Sequence, residues 1–189
     1  MVLIALSFVL PGLFRSSSTS EAAHAKAMGV AAGAGMPAGS PVPSFSEKNL
    51  LNDQPITSKT VYNHKTLLFF SEGVMCQACF EQIMGLQKVG TQLAKRGIQL
   101  VSVTPDTPRD LSAAVGQYDI TTPVISDENR DMSASFNTLG RGMHADTPGH
   151  AFALIYHGKV LWYRDYYLGS SPTMYVEPSK LLADITRAA

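Results

Sequence analysis

Thr66-Leu67-Leu68-Phe69-Phe70 is an unbroken apolar run between His64-Lys65 and Ser71-Glu72-Gly73, the pattern of a strand buried on both faces. From Gln77 to Arg96, the apolar positions Phe80, Ile83, Leu86, Val89 and Leu93 recur every three or four residues. That spacing predicts an amphipathic helix, closed by Gly97. Gly85 and Gly90 each weaken it by about 1 kcal/mol relative to Ala and mark places for a bend. Ile98 to Val103 reads as a second buried strand. Thr107-Pro108 then opens a helix reaching Tyr118, with a capping hydroxyl followed by a proline in the first helical position. Pro123 to Ser126 predicts a short strand, and Asp127 caps a helical turn that reaches Asn137. Ala151–Tyr156 and Val160–Tyr167, joined by His157-Gly158, carry a hairpin pattern. A last helix over Pro178–Arg187 turns Leu181, Leu182 and Ile185 inward. Strand–helix–strand crossovers of the usual right hand make the first half a parallel sheet, to which the hairpin adds antiparallel strands. The expected fold is α/β, a mixed central sheet flanked by helices.

The chain ahead of these elements has a different character. Residues 1–15 begin with fourteen uncharged, almost wholly apolar positions, shorter than the roughly 20 a spanning helix needs and interrupted by Pro11 and Gly12. They read as a signal peptide or membrane anchor, and the lack of a basic segment ahead of the apolar run fits a start upstream of Met1. Residues 16–41 are dominated by Ala, Ser, Gly and Pro, which bury too little surface to offset their ordering entropy, so a flexible linker is expected there. The folded domain is then 42–189, exported or membrane-anchored on the extracytoplasmic face.

Composition narrows the function. Fifteen Lys and Arg balance fifteen Asp and Glu with no basic cluster, which argues against a nucleic-acid partner. Two cysteines are too few for a disulfide-stapled scaffold. Those two, Cys76 and Cys79, stand three apart, a spacing that two randomly placed cysteines would reach about once in a hundred chains. They also fall where the first strand ends and the long helix begins. Unpaired N–H groups and the helix dipole stabilise a thiolate there, and thiolate is the attacking species in disulfide exchange. A nucleophile with its resolving partner follows. A purely structural disulfide closing so small a loop removes little unfolded-state entropy, and two inert buried thiols leave the location unexplained. Metal binding is the remaining alternative for the pair.

Around the cysteines the sequence resembles the thioredoxin-like fold, and more closely the redoxin branch containing alkyl hydroperoxide reductase and thiol-specific antioxidant proteins. Val42-Pro43-Ser44-Phe45 is similar to that family's opening segment before its first hairpin. Leu67–Phe70 followed by Cys76-Gln77-Ala78-Cys79 is similar to its active-site strand and loop. Val101–Asp106, Val124–Asp127 and Ala151–Ile155 resemble three further segments in the same order. The resemblance implies peroxiredoxin-like, antioxidant chemistry with no cofactor beyond the cysteines. It also implies a protein thiol or disulfide as partner, and hydroperoxides as a possible second substrate. Peroxidatic members carry Pro-x-x-x-Thr-x-x-Cys. Here those places hold Glu72 and Cys76 if Cys79 is peroxidatic, or Phe69 and Gly73 if Cys76 is. Thiol–disulfide exchange therefore fits better than peroxide reduction, with Cys76 attacking, Cys79 resolving, and Gln77 and Ala78 setting local geometry.

Thioredoxin-like reductants also place a cis-proline opposite the cysteines. The matching segment is Thr147-Pro148-Gly149-His150, in which Pro148 is shifted from that place and Gly149 or His150 faces the sulfurs. His150 has three readings: a modulator of the thiolate, a ligand completing a Cys76–Cys79–His150 copper site of metallochaperone type, or a hydrogen-bonded histidine at a strand start. Glu72 is placed to assist proton transfer to the resolving cysteine, although a loop carboxylate is more often solvated.

Overall fold

A computed structural model of the chain describes residues 35–144, 146–168 and 172–188. The signal or anchor reading of 1–15 lies outside the described residues, as does most of the 16–41 linker. Within the described residues, no helix is long and apolar enough to cross a membrane.

Two three-residue strands, β1 (Ser46–Lys48) and β2 (Pro55–Thr57), pair antiparallel as a small separate hairpin. The main sheet has five strands: β3 (Lys65–Phe70), β4 (Ile98–Thr104), β5 (Val124–Ser126), β6 (Ala151–Tyr156) and β7 (Lys159–Asp165). Its order is β5-β4-β3-β6-β7, with β4 parallel to both β3 and β5 and the β6–β7 hairpin antiparallel. The apolar run of β3 is thus central, hydrogen-bonded on both edges and buried on both faces, as an unbroken apolar strand must be. His157 and Gly158 turn the hairpin with φ of 47° and 70°, the paired left-handed conformations of a type I′ turn.

Side chains alternate between two cores. Leu67, Phe69, Phe152 and Leu154 face the helices α1 (Gln77–Lys88), α2 (Gly90–Lys95), α3 (Pro108–Gln117) and α5 (Pro178–Ala188). Leu68, Phe70, Val103, Ala153 and Ile155 face Phe45, Ile56, and the Met132 and Phe136 of the short α4 region (Asp131–Ser135). Packed residues begin ahead of Val42. Met36 is buried in the second core, and Gly39 and Ser40 trade backbone hydrogen bonds with Val160 at 2.8 and 2.9 Å.

The long helix expected over Gln77–Arg96 is two helices meeting at Val89, next to Gly90. It continues through Gly85, where the missing side chain admits Tyr175 and Pro178 beside the helix. Thr107 caps α3 by accepting from the Asp110 N–H at 3.3 Å. Asp127 accepts from the Met132 and Ser133 N–H groups at 3.0 and 2.8 Å, so it caps α4 from four residues upstream of Asp131.

Candidate active site

Cys76 is the N-cap of α1 and Cys79 lies in its first turn; the two are joined by a disulfide, with Cα atoms 5.3 Å apart. Both are buried, Cys79 completely. A short 3-10 turn, Gly73–Met75, carries the chain from β3 to the helix, and the Cys76 N–H donates to the Gly73 carbonyl at 2.9 Å. The first turn of α1 holds no acidic residue, so nothing on the helix opposes the positive end of its dipole at Cys76. Met75 stands beside the pair with 76% of its surface exposed, and Val74 and Met143 are exposed as well.

Two carboxylates shape this turn. Both oxygens of Asp106, just past β4, accept from the Val74 N–H, at 3.0 and 3.1 Å. Gly73 makes that approach possible: its φ is +81°, and a Cβ there would run into the Asp106 carboxylate. Burial pushes the Asp106 carboxyl above its usual range, against the Val74 hydrogen bond that lowers it. Asp106 is a site residue that sequence reasoning noted only as part of a matching segment.

Glu72, the second, is not a solvated loop carboxylate. It is 2% exposed, and its Oε1 accepts from the backbone N–H groups of Met143 and His144, tying the approach to Cys76 onto the 140–144 loop. Successive N–H groups converge on one oxygen, so the carboxylate keeps hydrogen bonds in place of water. Gly142 packs directly on it. Glu72 Oε2 has no hydrogen-bond donor, and half-exposed His144 lies 3.7 Å away.

His150 is fully buried at the start of β6, on the sheet face that carries α1, with its ring 4.7 Å from Phe69 and 5.5 Å from Phe152. Its hydrogen bond to α1 goes to Gln82, one helical turn past Cys79, at 3.1 Å. Burial depresses the imidazole to about 3, so it is neutral at ordinary pH. Gln82 is itself fully buried, and its Oε1 also accepts from the Val176 N–H at 2.6 Å. Sequence reasoning passed over Gln82, although it sits three residues after Cys79 on the apolar side of the helix.

The remaining expected residues are peripheral. Gln77 is exposed and donates to Glu81 at 2.8 Å, while Ala78 packs partly against the first core. Pro148 bridges to Leu139 and Gly149 is crowded by the Arg141 backbone; there is no cis peptide among the described residues. Nor do three His, Cys, Asp or Glu side chains among them form a metal-binding group. The described residues thus give no support to Cys76, Cys79 and His150 as copper ligands.

The chain is 23% identical over 104 residues to the bcp peroxiredoxin of Haemophilus influenzae, a match covering 54% of this chain and 65% of that relative's length. Among solved structures it is similar to the peroxidoxin BcpB of Mycobacterium tuberculosis, with TM-score 0.66 and 19% identity over 82% of this chain and 99% of that one. It is similar too to the AhpC of Enterococcus faecalis, with TM-score 0.67 and 13% identity over 80% and 92%. These likenesses show a thioredoxin-like peroxiredoxin fold. Residues 38–163, most of the chain with Cys76, Cys79, Glu72, Asp106 and His150 among them, match the profile of the AhpC/TSA family, and the chain belongs to that family.

Proposed function

We propose that the chain is a thiol–disulfide oxidoreductase of the redoxin type, with Cys76 attacking and Cys79 resolving. The observation that carries this reading is the Cys76–Cys79 disulfide spanning the first turn of α1 at the end of the central strand. In the dithiol form, the Cys76 thiolate attacks one sulfur of a partner disulfide and the other partner sulfur leaves as a thiolate. Cys79, deprotonated, then attacks the Cys76 sulfur and expels the second partner thiolate. The partner gains two electrons and this pair loses them. No organic cofactor is needed, and the electrons return from a partner thiol protein. Replacing Cys76 with Ser removes the first acceptor of the mixed disulfide, so reduction of insulin disulfides should fall to background. Retained activity in that variant would rule Cys76 out as nucleophile.

Membership of the family and the names of its relatives favour a second reading, reduction of hydroperoxides. A cysteine thiolate would take the distal peroxide oxygen as a sulfenic acid, releasing water or an alcohol, and the other thiol would condense with it to the disulfide, releasing water. Rapid mixing of the reduced protein with hydrogen peroxide separates the readings: fast loss of one thiol supports the peroxidase, and slow loss leaves disulfide exchange. The uncharged, largely apolar residues 1–14 support an extracytoplasmic setting for either reaction. Cell fractionation that finds the chain in the cytosol would count against that setting.

A further inference from the structure

Cys76 reaches the head of α1 through the turn Gly73–Met75, and one peptide group of that turn is held from both sides. The Gly73 carbonyl accepts from the Cys76 N–H at 2.9 Å. The Val74 N–H, the other half of the same peptide group, donates to the two Asp106 carboxyl oxygens at 3.0 and 3.1 Å. Asp106 and the attacking cysteine are therefore joined through a single planar unit. The two bonds reinforce each other, because an acidic acceptor on the N–H makes the carbonyl oxygen a stronger acceptor in turn.

Asp106 can hold that plane because it is fixed itself. It follows β4 closely, and its own carbonyl accepts from the Ser126 hydroxyl of β5 at 2.7 Å. β4 and β5 are parallel neighbours, with Thr104 opposite Ser126. A line of hydrogen bonds thus runs from Ser126 through Asp106 and the Gly73–Val74 peptide to Cys76. It ties the cysteine to two strands other than β3, from which its own segment emerges. Gly73, at φ +81°, leaves room for the carboxylate to lie against the turn.

We propose, resting on the thiol–disulfide reading above, that Asp106 is a positioning residue for Cys76, holding it through the Gly73–Val74 peptide at the N-terminus of α1. With its N–H bound to Gly73, Cys76 keeps the extended backbone of an N-cap, φ −116° and ψ 93°. Its sulfur then lies over the first turn of the helix, as the bond to Cys79 shows. There the unpaired N–H groups and the positive end of the helix dipole favour the thiolate. Without the tie, the turn and Cys76 shift relative to α1 and part of that stabilisation is lost. The charge of the carboxylate works in the opposite sense, since an anion disfavours a thiolate nearby. Asp110 on α3 opposes ionisation of the Asp106 carboxyl, and Arg130 ahead of α4 favours it.

The test is a single turnover of the reduced full chain with one equivalent of an aromatic disulfide, 5,5′-dithiobis(2-nitrobenzoate), read by stopped flow from acid to alkaline pH. The first thionitrobenzoate released reports attack by Cys76, and the pH midpoint of that phase reports its thiol; the second reports resolution by Cys79. Asp106→Ala removes the acceptor. It should slow the first phase about threefold at neutral pH and raise its midpoint by about half a unit. Asp106→Asn keeps an acceptor for the Val74 N–H and drops the charge, so it should restore the rate and return the midpoint to the wild-type value or below. A midpoint that stays or falls in Asp106→Ala overturns the proposal, as does one raised equally far in Asp106→Asn. If Asp106→Ala does not fold, NMR of the oxidised wild-type protein decides. As acid protonates Asp106, the Val74 and Cys76 amide signals should move with one midpoint, and a Cys76 amide that does not follow Val74 overturns the proposal. A wild-type protein that releases only one equivalent overturns the exchange reading and the proposal with it. Release of both, with an unmoved midpoint in Asp106→Ala, overturns the proposal alone.

Discussion

At the scale of single residues, the site depends on two carboxylates that differ in what they hold. Glu72 secures the approach to Cys76 against the 140–144 loop through two backbone donors, and Asp106 secures the turn itself through Val74. Glu72→Ala leaves the Met143 and His144 N–H groups without their acceptor, at a net loss of about 1–2 kcal/mol for the pair, since water can reach both residues. The expected result is a melting temperature lower by roughly 2–8 °C, and Glu72→Gln, which keeps an acceptor, should recover at least half of the loss. Equal losses in the two variants would show that charge, not hydrogen bonding, is what Glu72 contributes. Cys79 has a sharper expectation. Cys79→Ser leaves Cys76 able to attack but unable to be released, so the variant should accumulate a covalent adduct with its disulfide substrate. Mass spectrometry of the intact protein checks this: no adduct with a competent Cys76 would mean that Cys79 is not the resolving group.

At the scale of elements, the central strand and its flanking helices were legible because their signals are local. An unbroken apolar run must lie in the middle of a sheet, and an apolar repeat of three or four must lie on one helix face. The cysteine pair was legible for the same reason, since spacing and strand-to-helix position are both read within a few residues. The break in the long helix was visible only as two candidates. Contact with Tyr175 and Pro178, distant in sequence, explains why the chain passes Gly85 as regular helix and parts beside Gly90. β1 and β2, three residues each with weak alternation, left no pattern of their own. Glu72 and Gln82 were misread or missed because their partners, Met143, His150 and Val176, lie about seventy or more residues along the chain. A glutamine looks solvent-facing by its polarity, even on the apolar side of a helix, until its partners in distant segments are known. Gln87 shows a long-range tie of the same kind between elements. Its Oε1 accepts from the Thr121 and Thr122 N–H groups at 2.6 and 3.1 Å and its Nε2 donates to the Asp119 carbonyl at 3.2 Å, pinning α1 to the turn before β5. Gln87→Ala should cost about 1–2 kcal/mol and lower the melting temperature by roughly 2–6 °C with exchange activity retained. A loss within error would show that water replaces all three bonds.

At the scale of the whole molecule, stability is tied to pH through groups that the fold holds away from their ordinary ionisation. His150 titrates near 6.5 when unfolded but is depressed to about 3 by burial, so below pH 6.5 the unfolded chain binds a proton that the folded chain refuses. Stability from this group is therefore complete above pH 6.5 and falls steadily as pH drops toward 3, by several kcal/mol on the scale of about 1.4 kcal/mol per unit. Asp184 acts in a lower window. Burial raises its carboxyl, but the hydrogen bonds from Lys180 and Tyr166 and the charges of Lys180 and Arg164 outweigh that and bring it to about 2. Its contribution is present above the unfolded value near 3.8 and is lost only below that. Asp106 and Asp165 run the other way, because burial raises both carboxyls and acid relieves their cost. Between pH 6.5 and 5, then, His150 dominates the slope. Urea unfolding across that interval should show the wild-type protein losing about 1–2 kcal/mol, while His150→Gln, which cannot protonate, should hold its own smaller stability nearly constant.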